Sequence, residues 1–152
     1  MKNSVAQLNL DRLAAEHAQN IICRLVMEDK DGKKREDNEE KKKAASSADN
    51  TVTKALGVLQ ENGVYACFLY LMAKEKENGE VVVEEMLKLL DRLGFGWGKP
   101  TDEHGNVDTN TDVVLKHITE KVTVRLDRLL LAKETLAQML IYARYGAKAF
   151  RR

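Results

Sequence analysis

Toward the end of the chain, apolar residues recur at helical spacing. Val122, Leu126, Leu129, Leu136, Leu140, Ala143, Ala147 and Phe150 are separated by four, three, seven, four, three, four and three residues, with Lys133 filling the long gap. On a helix turning about 100° per residue these side chains fall on one stripe. Leu, Ala, Met, Arg, Lys and Gln, all good helix formers, dominate the segment and no proline interrupts it. The pattern predicts a long C-terminal helix from about Arg125, approached through the β-branched Val122-Thr123-Val124. Leu130, Ala137 and Ile141 widen its apolar face, so the helix is expected to contact several partners in a core.

Earlier segments repeat the helical period. Ser4 and Gln7 have the spacing of a capping box, and Leu10, Leu13, Ala14, Ala18, Ile21, Ile22 and Leu25 give a first helix its apolar face down to Met27. His17 sits beside that face, where a partly buried histidine with a local partner is expected. Asp49 or Asn50 offers an N-cap for a helix carrying Ala55, Leu56, Val58 and Leu59, and Asn62-Gly63 marks its stop or a bend. Val64, Cys67, Phe68, Leu71 and Met72 resume the period in the most apolar stretch, predicted as the central helix and ended by Asn78-Gly79. Another helix spans Glu80 to Leu93, with acids in its first turn, and Thr111 or Asp112 caps a further one carrying Val113, Val114, Leu115 and Ile118. Phe68 and Leu140 are both expected in the core.

Two stretches break the pattern. Residues 28–43 hold seven acidic and seven basic residues and nothing apolar, and the small residues from Ala44 to Ala48 follow. A segment with so little to bury reads as a mobile loop or frayed helix end, so 28–48 is expected to be dispensable for folding. The second is a loop over 94–110, opened by Gly94-Phe95-Gly96-Trp97-Gly98-Lys99-Pro100. Its glycines do not match GxxxxGK[ST] and follow a helix instead of a strand, so an aromatic-anchored surface loop is preferred over a phosphate loop. Trp97 is either tucked onto the helices or exposed for a partner.

The expected fold class is therefore all-α: one compact domain over 1–152, a bundle of five to seven helices. Its 152 residues, 43% hydrophobic and 32% charged, with Pro100 the single proline, suit one helical core. No apolar run approaches the roughly 18 residues of a membrane span, and the N-terminus does not read as a signal peptide, so a soluble, cytoplasmic protein is expected. Cys23 and Cys67 lie in apolar surroundings without a CxxC pair and read as buried free thiols.

Charge adds a directional feature. From Lys116 to Arg152 there are nine Lys and Arg against three Asp and Glu, a net of +6. Residues 44–115 carry six basic and twelve acidic residues, a net of −6. On the last helix Lys133, Arg144, Lys148 and Arg151 fall within a narrow arc beside the apolar stripe, with Arg128 as a possible extension. Such a ridge can follow a phosphate backbone. It can equally be a solvated face whose cations complement the helix dipole.

Chemistry beyond charge is sparse. His17, His104 and His117 are scattered, with no HExxH and no Cys/His metal spacing. Glu84-Glu85 and Asp102-Glu103 are sequence neighbours pointing different ways, and neither GxSxG nor a Cys/His dyad is present. No enzyme, cofactor or metal site is specified. A helical protein–protein adaptor remains open beside a nucleic-acid role.

Two segments carry a resemblance. Asn62-Gly63-Val64-Tyr65-Ala66-Cys67-Phe68-Leu69 resembles the NGL-x-x-x-aromatic-Leu segment of the small subunit of type III-B CRISPR effector complexes, the Cmr small-subunit family. The run from Ala132 to Phe150 resembles that family's closing motif, a basic-Glu-small-Leu run ending in a basic, Ala-rich turn. The order of parts also fits. Val64 departs from the usual Leu, and Ile141-Tyr142 stands where tryptophan is frequent. The resemblance implies a non-catalytic all-helical subunit whose copies stack along a ribonucleoprotein, beside guide RNA and target single-stranded RNA and in contact with other Cmr subunits. Its implied mechanism is phosphate neutralisation without base reading. On that reading, Lys133, Arg144 and Lys148 changed together to Glu should abolish RNA binding and leave the fold intact.

Overall fold

The computed structural model describes residues 9–151, so the Ser4–Gln7 capping box lies outside the described residues. Among those residues there are six α-helices and no strand: α1 (Leu10–Ile22), α2 (Asn38–Asn62), α3 (Val64–Lys74), α4 (Lys76–Asp91), α5 (Thr111–His117) and α6 (Leu126–Arg151). π-Helical turns over Cys23–Met27 and Ile118–Val122 finish α1 and α5. The architecture is an all-α bundle, as the periodicities predict.

The long helix α6 is the spine. It packs most extensively against α2 and next against α1, while α3 and α4 close the far side of the core. Of its predicted stripe, Leu136, Leu140, Ala143 and Ala147 are buried, together with Val122 just upstream. The ends depart from the stripe, because Leu126 is 68% exposed and Phe150 lies on the surface. Leu126 is the first residue of α6, and packing against the core begins only at the half-buried Leu129. Leu140 is fully enclosed, so Leu140→Ala should lower stability by about 2–4 kcal/mol in a denaturant titration. A loss under about 0.5 kcal/mol would mean that this face does not meet the core.

The charged segment is the main correction. Residues 38–48 are helical, not loop: α2 begins at Asn38, with Asp37 as N-cap accepting from the Glu39 amide at 3.0 Å. Ala45, Ala48, Val52, Ala55 and Leu59 are all buried on one face. These alanines are small because α2 lies close to its neighbours, and the abundant charges around them point to solvent. Only 28–37 is irregular, and it carries a tight turn in which Asp29 accepts from the Asp31 and Lys33 amides. Asp49 is accordingly not an N-cap. It sits within α2 and is buried.

Gly63 reverses the chain between α2 and α3 with φ +99°, a value that L side chains rarely adopt, and its amide closes onto the Leu59 carbonyl. The next break comes earlier than Asn78-Gly79. It falls at Glu75-Lys76, and Gly79 belongs to the first turn of α4. The glycine is needed there for contact, since a Cβ would collide with the carbonyl oxygen of Leu71. Glu75 accepts from Tyr70 at 2.5 Å and from Thr51 at 2.8 Å, tying the corner to α2. Burial and this carboxylate push the Tyr70 hydroxyl up to about 12.

The 94–110 loop is irregular as expected, and Trp97 takes the tucked alternative. Its ring is buried and tilted against Phe95, with centroids 4.9 Å apart, while Lys99 pairs with Asp91 at 2.6 Å. The two cysteines divide. Cys67 is buried, and burial pushes its thiol up to about 12, whereas Cys23 is exposed, contrary to expectation. At about 100° per residue Cys23 falls outside the arc of Leu13, His17, Ile21 and Leu25 that faces the core.

Candidate nucleic-acid interface

Helices α2 and α6 run antiparallel. Lys133 reaches the Gln60 carbonyl near the end of α2, whereas Lys148 and Arg151 reach Asp49 nearer its start. The four ridge residues keep the arc that the sequence predicts. Relative to Lys133, Arg144, Lys148 and Arg151 are rotated by roughly 20°, 60° and 0°, and they extend over roughly 27 Å of helix. That arc follows the seam where α6 meets α2.

The seam changes what each cation can do. Asp49 receives Arg151 at 2.6 Å and Lys148 at 3.4 Å, and its other local partner is Thr53 at 2.9 Å. Burial alone would raise the Asp49 carboxyl, but the hydrogen bonds from Thr53, Arg151 and Lys148 outweigh it and hold the carboxyl below its ordinary value. The two cations nevertheless remain 42% and 45% exposed at the side chain. One buried carboxylate therefore positions two partly exposed cations, and the pair keeps a net positive charge at the surface. Arg144 is half-buried, with its Nε covered and without a hydrogen-bond partner among the described residues. Lys133 stands apart toward the other end, at 3.4 Å from the Gln60 oxygen.

Arg128 is not part of this surface. It lies roughly 140° around α6 from Lys133 and rests over the Phe95 ring at 4.9 Å, a cation–π contact that pins the 94–110 loop. Asp49 is the member that sequence reasoning missed. The signal was present in the spacing Ala45, Ala48, Val52, Ala55, which continues the apolar face of α2 upstream and makes Asp49 internal to the helix.

A second polar cluster lies inside the bundle between α1 and α4. His17 Nδ1 and Glu85 Oε1 are 2.9 Å apart, and Asn20 donates to the same oxygen at 3.2 Å. Arg24 reaches Glu84 at 2.9 Å and Glu85 at 3.2 Å, and Lys88 adds pairs to both carboxylates. Arg92 bridges Glu16 at 2.8 Å and lies 3.3 Å from His17 Nε2. Burial would raise the Glu85 carboxyl, but the His17 and Asn20 hydrogen bonds and the nearby Lys88 outweigh it and lower it. His17 thus has a partner far away in sequence, not a local one. The pair is sealed and mutually satisfied, which suits joining two helices better than acid–base work on a substrate.

Among the described residues no group of three or more His, Cys, Asp or Glu is placed to hold a metal ion, and no helix is long and apolar enough to cross a membrane. His117 Nε2 is buried without a hydrogen-bond partner among the described residues, and burial with the nearby Lys121 lowers its affinity for a proton. No protein-family model, curated protein or solved structure matches the chain.

Proposed function

We propose that this chain is a non-catalytic, cytoplasmic RNA-binding subunit, of the kind found as the small subunit of type III-B CRISPR effectors. The observation that carries the reading is the cationic seam of α6, where Arg144, Lys148 and Arg151 gather and Asp49 fixes two of them. Two short sequence motifs add the resemblance. The mechanism is electrostatic: cations on a rigid helix neutralise successive phosphates of guide or target RNA and read no base edges. Neighbouring copies and other Cmr subunits would present further cations to the same strand and raise the effective concentration.

The test is a salt titration with labelled RNA. Isolated affinity should lie in the range of about 10⁻⁴–10⁻⁶ M at physiological salt and fall steeply as salt rises. Glutamate is unsuitable at Lys148, because a second carboxylate would face the buried Asp49 and cost stability as well as binding. The triple change Lys133→Gln, Arg144→Gln and Lys148→Gln leaves Arg151 paired with Asp49 and should preserve the fold. It should weaken binding about tenfold or more and flatten the salt dependence by about 2, since each single-strand phosphate contributes about 0.7 to that slope. Undiminished binding would make the ridge a solvated face.

A protein–protein adaptor is the second reading. Val124 is exposed just before α6, Leu126 and Leu130 are exposed in its first turns, and Tyr65 and Leu69 are exposed on α3. Apolar side chains so placed suit a partner surface. A Leu126→Gln and Leu130→Gln variant that stays folded yet loses its protein partner with no RNA present would favour this reading.

A further inference from the structure

Tyr145 is an aromatic side chain with no part in the core. It is 62% exposed, in the middle of the same half of α6 that holds the cationic seam. Arg144 precedes it directly and Lys148 follows three residues later. Helical side chains lean toward the N-terminus, so Lys148 covers the turn that carries Tyr145, and Tyr145 covers the turn of the half-buried Ile141. The ring therefore stands on a rigid helix at the outer edge of a row of partly exposed cations. An aromatic face next to phosphate-binding cations is the arrangement by which proteins hold unpaired strands, because every base offers a π-face and the ring loses few rotamers on binding. Bases inside a duplex are already stacked and cannot reach it.

We propose that Tyr145 is a base-stacking platform at the edge of the basic ridge, so that this surface takes single-stranded RNA in preference to duplex RNA. The proposal rests on the RNA-binding reading and adds a strand preference to it. It also assigns a role to an aromatic that neither the fold nor the ion pairs use. The neighbouring cations supply the sequence-independent attraction, and the ring supplies the discrimination between unpaired and paired strands.

The experiment compares the parent, Tyr145→Ala and Tyr145→Phe on three probes: a uridine homopolymer, an RNA duplex of equal length, and inorganic polyphosphate, which has charge but no bases. The parent should prefer the homopolymer to the duplex. Tyr145→Ala should lose about fivefold or more on the homopolymer, the lower end of what stacking one base contributes. It should be unchanged on polyphosphate, and Tyr145→Phe should match the parent throughout. A surface substitution of this kind should leave the melting temperature unmoved, which separates a binding loss from an unfolding one. Equal losses on homopolymer and polyphosphate would overturn the proposal, as would unchanged homopolymer binding by Tyr145→Ala. If the parent binds polyphosphate and RNA and only the stacking difference is missing, the ridge reading survives alone. A parent that binds neither probe sinks both.

Discussion

Replacing residues 38–48 with a Gly/Ser linker of equal length should destabilise the protein by about 4 kcal/mol. The losses come from separate sources. Ala45 and Ala48 are fully buried, and removing their methyl groups from the core forfeits about 0.8 kcal/mol each before any cavity term. The Asp37 cap contributes about 1 kcal/mol to the helix it starts. Asn78 donates to Ser47 at 2.9 Å, another contact of about 1 kcal/mol. Fraying would then reach Asp49 and loosen the Lys148 and Arg151 pairs, so under the proposed RNA-binding function affinity should fall along with stability. The comparison that isolates the cause is a shortened turn at 30–33, which is exposed and should shift the melting temperature by only a few degrees. If the linker replacement melts like the parent, the first three turns of α2 contribute nothing and the segment behaves as its charge suggests.

That segment shows where sequence reading succeeds and where it stops. Helices with large apolar residues were legible: Phe68, Leu71, Met86, Leu90, Leu136 and Leu140 recur at the helical period and are all fully buried. The start of α2 was not, because its inward face is made of alanine, and Ala45 and Ala48 look like linker residues among so many charges. The break at Glu75-Lys76 was also hidden. Asn78-Gly79 has the composition of a helix stop, but Gly79 is there for the close approach to Leu71. The same limit applies to the ridge. Helical spacing placed Lys133, Arg144, Lys148 and Arg151 on one arc, and it gave no means of knowing that α2 would bring Asp49 against that arc. Long-range pairs such as His17–Glu85, sixty-eight residues apart, leave no local periodic trace at all.

Glu85→Ala should cost about 2–4 kcal/mol: about 1–3 for leaving a buried polar partner unsatisfied, with the emptied side-chain volume adding to it. Glu85 is 1% exposed and is contacted by His17, Asn20, Arg24 and Lys88. Its removal leaves the buried His17 imidazole without its acceptor, while the exposed Asn20 amide can turn to water. Arg24 and Lys88 keep Glu84, so the one group left without a partner is His17, on the inner side of the cluster. Glu85→Gln retains an oxygen acceptor for His17 and Asn20, so it should cost substantially less than Ala. The pH dependence separates the charge from the hydrogen bonds. The Glu85 carboxyl is lowered in the folded chain, so its contribution is fully present above the ordinary carboxylate value and is lost as pH falls through the lowered one. Parent stability should therefore decline as pH drops below about 4.5, and more steeply than that of Glu85→Gln, which has no charge to lose there. Urea titrations of parent, Gln and Ala forms at a series of pH values down to about 3 read both effects. Parallel parent and Gln curves across that window would show that Glu85 is held by shape and hydrogen bonding alone.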